Sequence, residues 1–122
     1  MAHILLIDDD EQFRSMLAQM LKQDGHRLTL AGDGEEGLRL AGQARPDLII
    51  TDILMPHRDG IETILALKAA GNAIPIIAVS GGRRLISADF NLESAALLGV
   101  KATLAKPFAR VDLRQAITRA LA

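Results

Sequence analysis

The chain has 122 residues, 49% of them apolar, and a formal net charge of −1, the size and make-up of one domain with a real core. Cysteine is absent, which excludes a disulfide framework, a thiolate metal site and a cysteine nucleophile. No apolar run approaches the ~18 residues that span a bilayer, and the opening Met-Ala-His-Ile-Leu-Leu-Ile-Asp turns acidic too early for a secretory signal, so a soluble cytoplasmic protein is expected.

The small net charge conceals an uneven layout. Residues 1–60 carry 6 basic and 11 acidic side chains, and residues 61–122 carry 8 basic and 4 acidic ones. The basic face of a nucleic-acid binder is missing. Acid gathers around Asp8–Glu11, Asp52 and Asp59 instead, a pattern that suits a cation.

In chain order, His3–Ile7 is an apolar run closed by Asp8-Asp9-Asp10-Glu11. A helix follows, with Phe13, Met16, Leu17, Met20 and Leu21 forming its apolar stripe, Asp10 as N-cap and Gly25 as C-cap. Arg27–Ala31 reads as a short strand. Asp33 caps a second helix through about Ala44, which Pro46 prevents from continuing. Leu48, Ile49 and Ile50 form a strand buried on both faces that ends on Asp52. A turn over Met55–Gly60 leads to a third helix marked by Ile61, Ile64, Leu65 and Lys68, ending near Gly71. Ile76–Val79 is another buried strand, stopping at Ser80. Gly81-Gly82-Arg83-Arg84 forms a solvated loop, and a fourth helix covers Ala88–Leu98 with Phe90 packing it on the sheet. Lys101–Ala105 is the last strand, and Leu113, Ala116, Ile117, Ala120 and Leu121 mark a fifth helix.

Five strands alternating with five helices imply a doubly wound parallel sheet, one α/β domain over residues 1–122 with no output domain in the chain. In such sheets ligands and chemistry sit outside the carboxyl ends of the strands. The residues ending the strands are Asp8 and Asp9, Asp52, Ser80 and, just past the last, Lys106. Ionised carboxylates at ~4 Å and an effective dielectric of ~20 repel by about 4 kcal/mol per pair. Either one of them keeps its proton or a divalent cation neutralises the cluster. Oxygen-only ligands in an incomplete cage favour Mg²⁺. A carboxylate nucleophile, a cation, a hydroxyl and a lysine together describe phosphoryl transfer onto Asp52.

The segments Ile-Leu-Leu-Ile-Asp-Asp-Asp, Asp-Leu-Ile-Ile-Thr-Asp-Ile-Leu-Met-Pro-His-Arg-Asp-Gly, Ile-Pro-Ile-Ile-Ala-Val-Ser-Gly and Leu-Ala-Lys-Pro-Phe resemble, in order and spacing, the receiver domain of two-component response regulators, of the chemotaxis-type single-domain kind. The resemblance implies a flavodoxin-like fold with strand order 2-1-3-4-5. It implies that Asp52 accepts a phosphoryl group from a sensor histidine kinase or histidine phosphotransfer protein, with no separate substrate turnover. Mg²⁺, with Mn²⁺ as an alternative, would be held by Asp9, Asp52 and the backbone carbonyl of Leu54, with Asp8 acting through water. Ser80, Gly81 and Lys106 would contact the phosphoryl oxygens, and Lys106–Pro107 would be cis. Ser80 and position 103 would form the switch towards an unidentified downstream protein. No nucleic acid or membrane is implied for this domain, and a monomer or weak dimer is.

Three departures bear on readout. Thr103 stands where the family usually has an aromatic residue, Gly81 stands where Ala is common, and the stretch from Ser80 to Lys106 is a few residues longer than usual. Other readings fit less well. Asp8-x-Asp10 matches the start of a haloacid dehalogenase-type phosphatase, but Gln12 stands where that family has Thr or Val and Asp52 is left unexplained. A flavin carrier would find its phosphate repelled by the acidic first loop. Receiver-like modules that bind without being phosphorylated typically lose the acid pair or the lysine, and this chain keeps both. His57 reads as an exposed loop residue.

Overall fold

The computed structural model describes residues 1–53, 60–70, 73–80 and 99–122. Five parallel strands, β1 (His3–Ile7), β2 (Arg27–Ala31), β3 (Leu48–Asp52), β4 (Ile76–Ser80) and β5 (Ala102–Ala105), form one sheet in the order β2-β1-β3-β4-β5. Four helices accompany them among the described residues: α1 (Glu11–Gln23), α2 (Gly34–Ala44), α3 (Gly60–Ala69) and α4 (Arg110–Leu121). The doubly wound sheet and its order agree with expectation. The predicted helix over 88–98, the turn at 55–59, the loop at 81–84, Leu54, His57 and Phe90 lie outside the described residues. No described helix is long and apolar enough to cross a membrane.

Strand burial follows position in the sheet. Residues of the inner strands β3 and β4 are buried throughout, whereas the edge strand β5 alternates buried and exposed. Ile4, Leu6, Leu48, Ile50, Ile77 and Val79 pack with Leu17 and Leu21 of α1 and with Leu113 and Ile117 of α4. Leu5, Ile7, Ile49 and Ala78 pack on the opposite face with Ala41, Ile64 and Leu67. Each such aliphatic side chain contributes about 1.5–3 kcal/mol through burial.

Helix limits follow local chemistry, with three corrections, while α2 runs from its Asp33 cap to Ala44 as expected. Asp10 caps α1, its carboxylate accepting from Phe13 N at 3.1 Å, but the C-cap is Asp24. Gly25 is the next residue, at φ 91°, where the absence of a Cβ lets the chain turn left-handed. The α1 stripe is narrower than its sequence pattern, because Met16 is 48% exposed and Ala18 is buried in its place. In α3 the inward residues are Thr63, Ile64 and Leu67, and Leu65 is 50% exposed. One face of a 3.6-residue helix holds 63, 64 and 67 but carries 65 well over a quarter-turn away. Arg45, at φ 48°, ends α2 before Pro46 takes effect.

Asp24 also ties α4 to α1. Arg114 Nη2 and Arg110 Nη2 each donate to its Oδ1 at 2.8 Å, and Arg114 Nε donates to Oδ2 at 3.1 Å. These bonds hold the Asp24 carboxyl well below the usual carboxylate range. A depressed folded-state value adds stability that is present above the unfolded value and lost as pH falls below it. Asp24→Asn is therefore expected to lower the melting temperature at pH 7, with the deficit shrinking progressively below about pH 4, as measured by thermal melts across pH.

Gly37, buried in α2, sets how closely that helix approaches β1. A Cβ there would stand 2.8 Å from Ile7 Cγ1, the residue before Asp8. The ~1 kcal/mol gain in helix propensity of Gly37→Ala is outweighed by an overpacking cost of about 1–3 kcal/mol. A net loss in urea unfolding is expected, recovered in part by adding Ile7→Val, which removes Cδ1.

Candidate functional site

The alternation of side chains along each strand decides which groups meet. Leu6, Ile50 and Leu104 lie on the sheet face covered by α1 and α4. Asp8, Asp52 and Lys106 each come two residues later, so the period of two carries all three to that same side. The backbone ladder continues past the strand ends: Asp8 N donates to Ala31 O at 3.1 Å and Lys106 N donates to Ser80 O at 2.7 Å.

The three side chains meet. Lys106 Nζ donates to Asp8 Oδ2 at 3.0 Å and to Asp52 Oδ2 at 3.1 Å. All three are nearly dry, with side-chain exposures of 9% for Lys106, 2% for Asp8 and 7% for Asp52. Asp8 is further fixed by Asp10 N, which donates to its Oδ1 at 2.8 Å, and Arg14 Nη1 donates to its backbone carbonyl at 2.6 Å. Asp9 is exposed, yet one carboxylate oxygen from each of Asp8, Asp9 and Asp52 lies within 4.8 Å of the others.

The remaining expected residues stand nearby in register. Val79 pairs with Asp52, and Ser80, fully buried, closes β4 one step further on and pairs with Ala105. Thr103 is exposed on β5 opposite Ala78, away from the three acids in register. Lys106–Pro107 is cis. Gly81 and Leu54 fall outside the described residues.

Burial pushes the Asp8 carboxyl up, and the Asp52 charge adds to that, while the Asp10 N–H and Lys106 oppose it. Three acids facing one ammonium leave negative charge uncompensated. The donor set suits a hard divalent cation: it is all oxygen, one member is open to solvent, and the three oxygens lie within 4.8 Å of one another, comparable with the ~4.2 Å width of an octahedral Mg²⁺ shell.

One contact was not foreseen from the sequence. The Phe13 ring, assigned above only to the α1 stripe, lies under the ammonium, with Lys106 Nζ 3.9 Å from its centroid. Phe108 meets Phe13 edge-on, with centroids 5.9 Å apart and planes at 84°. The available signal was positional: Phe13 is the third residue of a helix whose cap follows directly on the acidic strand end.

A doubly wound sheet with buried acids from two adjacent strands bridged by a lysine is the arrangement that the receiver resemblance implies. Residues 4–118 match the response regulator receiver domain, and the chain belongs to that family. It is 38% identical over 96 residues to the transcriptional regulatory protein AfsQ1 of Streptomyces coelicolor, covering 79% of this chain and 42% of that protein. It is 34% identical over 110 residues to the response regulator MprA of Mycobacterium leprae, covering 90% and 46%. The chain thus spans less than half the length of these relatives. Among solved structures, chemotaxis protein CheY4 of Vibrio cholerae is similar at TM-score 0.86 and 29% identity, covering 99% of both chains. A receiver domain protein from Clostridium thermocellum is similar at TM-score 0.88 and 30% identity, covering 99% and 94%. The chain is a receiver of two-component signal transduction.

A carboxyl whose folded-state pKa is raised opposes folding when ionised. The penalty is absent below its unfolded value of about 3.9 and complete once pH has passed the raised value. Asp8→Asn carries no charge but keeps an oxygen for only one of Asp10 N and Lys106, which donate to Oδ1 and Oδ2, so its melting temperature relative to the unaltered chain is expected to be more favourable at pH 7 than near pH 3. A relative melting temperature that is lower at pH 7 than near pH 3 would show that pairing with Lys106 outweighs burial.

Proposed function

We propose that this receiver takes a phosphoryl group onto Asp52 from a sensor histidine kinase or histidine phosphotransfer protein. The observation that carries this reading is the lysine bridge, with Lys106 Nζ between Asp8 and a 6% exposed Asp52. Lys106 Nζ donates to Asp52 Oδ2 at 3.1 Å, which fixes the carboxylate whose oxygen attacks the phosphorus. The P–N bond of the donor breaks as the O–P bond forms, and the donor imidazole leaves with the bonding pair. Lys106 then turns from the carboxylates to the transferred oxygens, where a fixed ammonium stabilises developing charge. Ser80, which closes β4, and Gly81 are assigned to the same oxygens.

Asp9, Asp52 and the Leu54 carbonyl are the groups that would hold Mg²⁺ or Mn²⁺, with Asp8 through water. The cation supplies charge neutralisation among the acids and the incoming phosphoryl oxygens. Hydrolysis of the resulting acyl phosphate at the same site resets the protein, so the chain is a phosphoacceptor that assists its own chemistry and not an enzyme with a separate substrate. We assign residues 1–122 to one receiver domain acting in the cytoplasm through protein contacts, as a monomer or weak dimer, with no nucleic acid or membrane bound by this domain. The switch towards its downstream protein would run through Ser80 and Thr103, which stands on β5 at the position where the family usually has an aromatic residue.

Incubation with acetyl phosphate and Mg²⁺, read by intact mass, is expected to give one phosphoryl adduct. The adduct should be lost without the metal and in Asp52→Asn. Lys106→Ala is expected to slow its formation by about 10²–10³-fold. An adduct that persists in Asp52→Asn would place the acceptor elsewhere.

A further inference from the structure

We infer that Phe13 is a positioning residue for Lys106: its ring face holds the ammonium over the Asp8–Asp52 pair and tunes how readily that ammonium serves the phosphoryl group. The inference rests on the phosphoacceptor reading for its consequence, but not for its physics. An ammonium has three donors, and two of them go to Asp8 Oδ2 and Asp52 Oδ2. The Phe13 ring face stands 3.9 Å from the same ammonium. The negative face of an aromatic quadrupole attracts a cation, and most strongly when both are withdrawn from solvent. Lys106 is withdrawn in this way, with 9% of its side chain exposed.

The ring is itself held in place. Asp10 Oδ1 accepts from Phe13 N, anchoring the first turn of α1. Phe108, two residues beyond Lys106, presses its edge against the ring, and edge-to-face pairs have a defined geometry. Two of the chain's three phenylalanines, in a sequence with no Trp or Tyr, are thus spent around one ammonium. An aliphatic residue of similar volume at position 13 would fill the same space against α1 and Phe108 but offer the lysine no negative face. Without it the ammonium samples more orientations, and fewer of them reach the phosphoryl oxygens.

Two measurements test this. The first is a double-mutant cycle in urea without metal or phosphodonor, comparing the unaltered chain, Phe13→Leu, Lys106→Met and the double variant. The expected coupling is about 3- to 30-fold in the unfolding equilibrium constant. An additive cycle overturns the inference. The second is the rate of acetyl phosphate labelling with Mg²⁺. Phe13→Leu is expected to lower the maximal rate about 3- to 10-fold at unchanged half-saturating donor, and Phe13→Trp to retain it. Phe13→Leu should have no further effect in the Lys106→Met background. Equal rates for Leu and Phe would reduce the ring to packing. If Phe13→Leu does not fold, Phe13→pentafluorophenylalanine keeps the shape and reverses the ring's electrostatics. A rate loss with that residue then supports the inference, and an unchanged rate overturns it. Should the unaltered chain form no adduct at all, the phosphoacceptor reading fails, while the urea cycle still decides whether Phe13 holds Lys106.

Discussion

A single ammonium among buried acids is the constraint on which the structure turns. Asp8 and Asp52 lie on neighbouring strands and are both nearly sealed from water. Without Lys106 between them their mutual repulsion at low dielectric would be several kcal/mol, a large part of the margin that keeps a small domain folded. Lys106 relieves this only in part, because Asp9 adds a third carboxylate at the same edge. Among the described residues three carboxylates thus gather about one ammonium, an excess of negative charge that a divalent cation is suited to neutralise.

The rest of the fold supplies what that cluster costs. Beneath the acids the inner strands are walled by aliphatic side chains on both faces. The polar exceptions on β3 and β4, Thr51, Asp52 and Ser80, crowd towards the carboxyl ends. Hydrophobic burial and reactive chemistry are thus separated along the strand axis. Asp24 ties α1 to α4 at the far end of α1, so the helix bearing Phe13 is anchored at both of its ends.

Much of this was legible in the sequence. Apolar runs ended by a polar residue located β1, β3 and β4, because a strand buried on both faces tolerates little else. Those same terminal residues located Asp8, Asp9, Asp52, Ser80 and Lys106 at one edge. What the pattern could not provide was orientation. Met16 and Leu65 are apolar and correctly spaced, yet exposed, because hydrophobic spacing gives the width of a stripe and not which of its flanks meets the sheet. The left-handed Arg45 was hidden because that conformation normally marks glycine. Phe13 was legible as a core residue but not as a neighbour of Lys106, since the two are brought together only by the pairing of β5 with β4 and the packing of α1 on the same face of the sheet.

The two-residue step from Leu6 to Asp8, from Ile50 to Asp52 and from Leu104 to Lys106 makes chain length near these strand ends a discrete variable. Adding or deleting one residue at any of the three places would send the terminal side chain to the opposite face of the sheet, leaving the aliphatic core intact but the cluster dismantled. Loops elsewhere can lengthen freely at small entropic cost. Drift in length is therefore tolerable almost everywhere in this fold, but at those three junctions it is quantised in pairs.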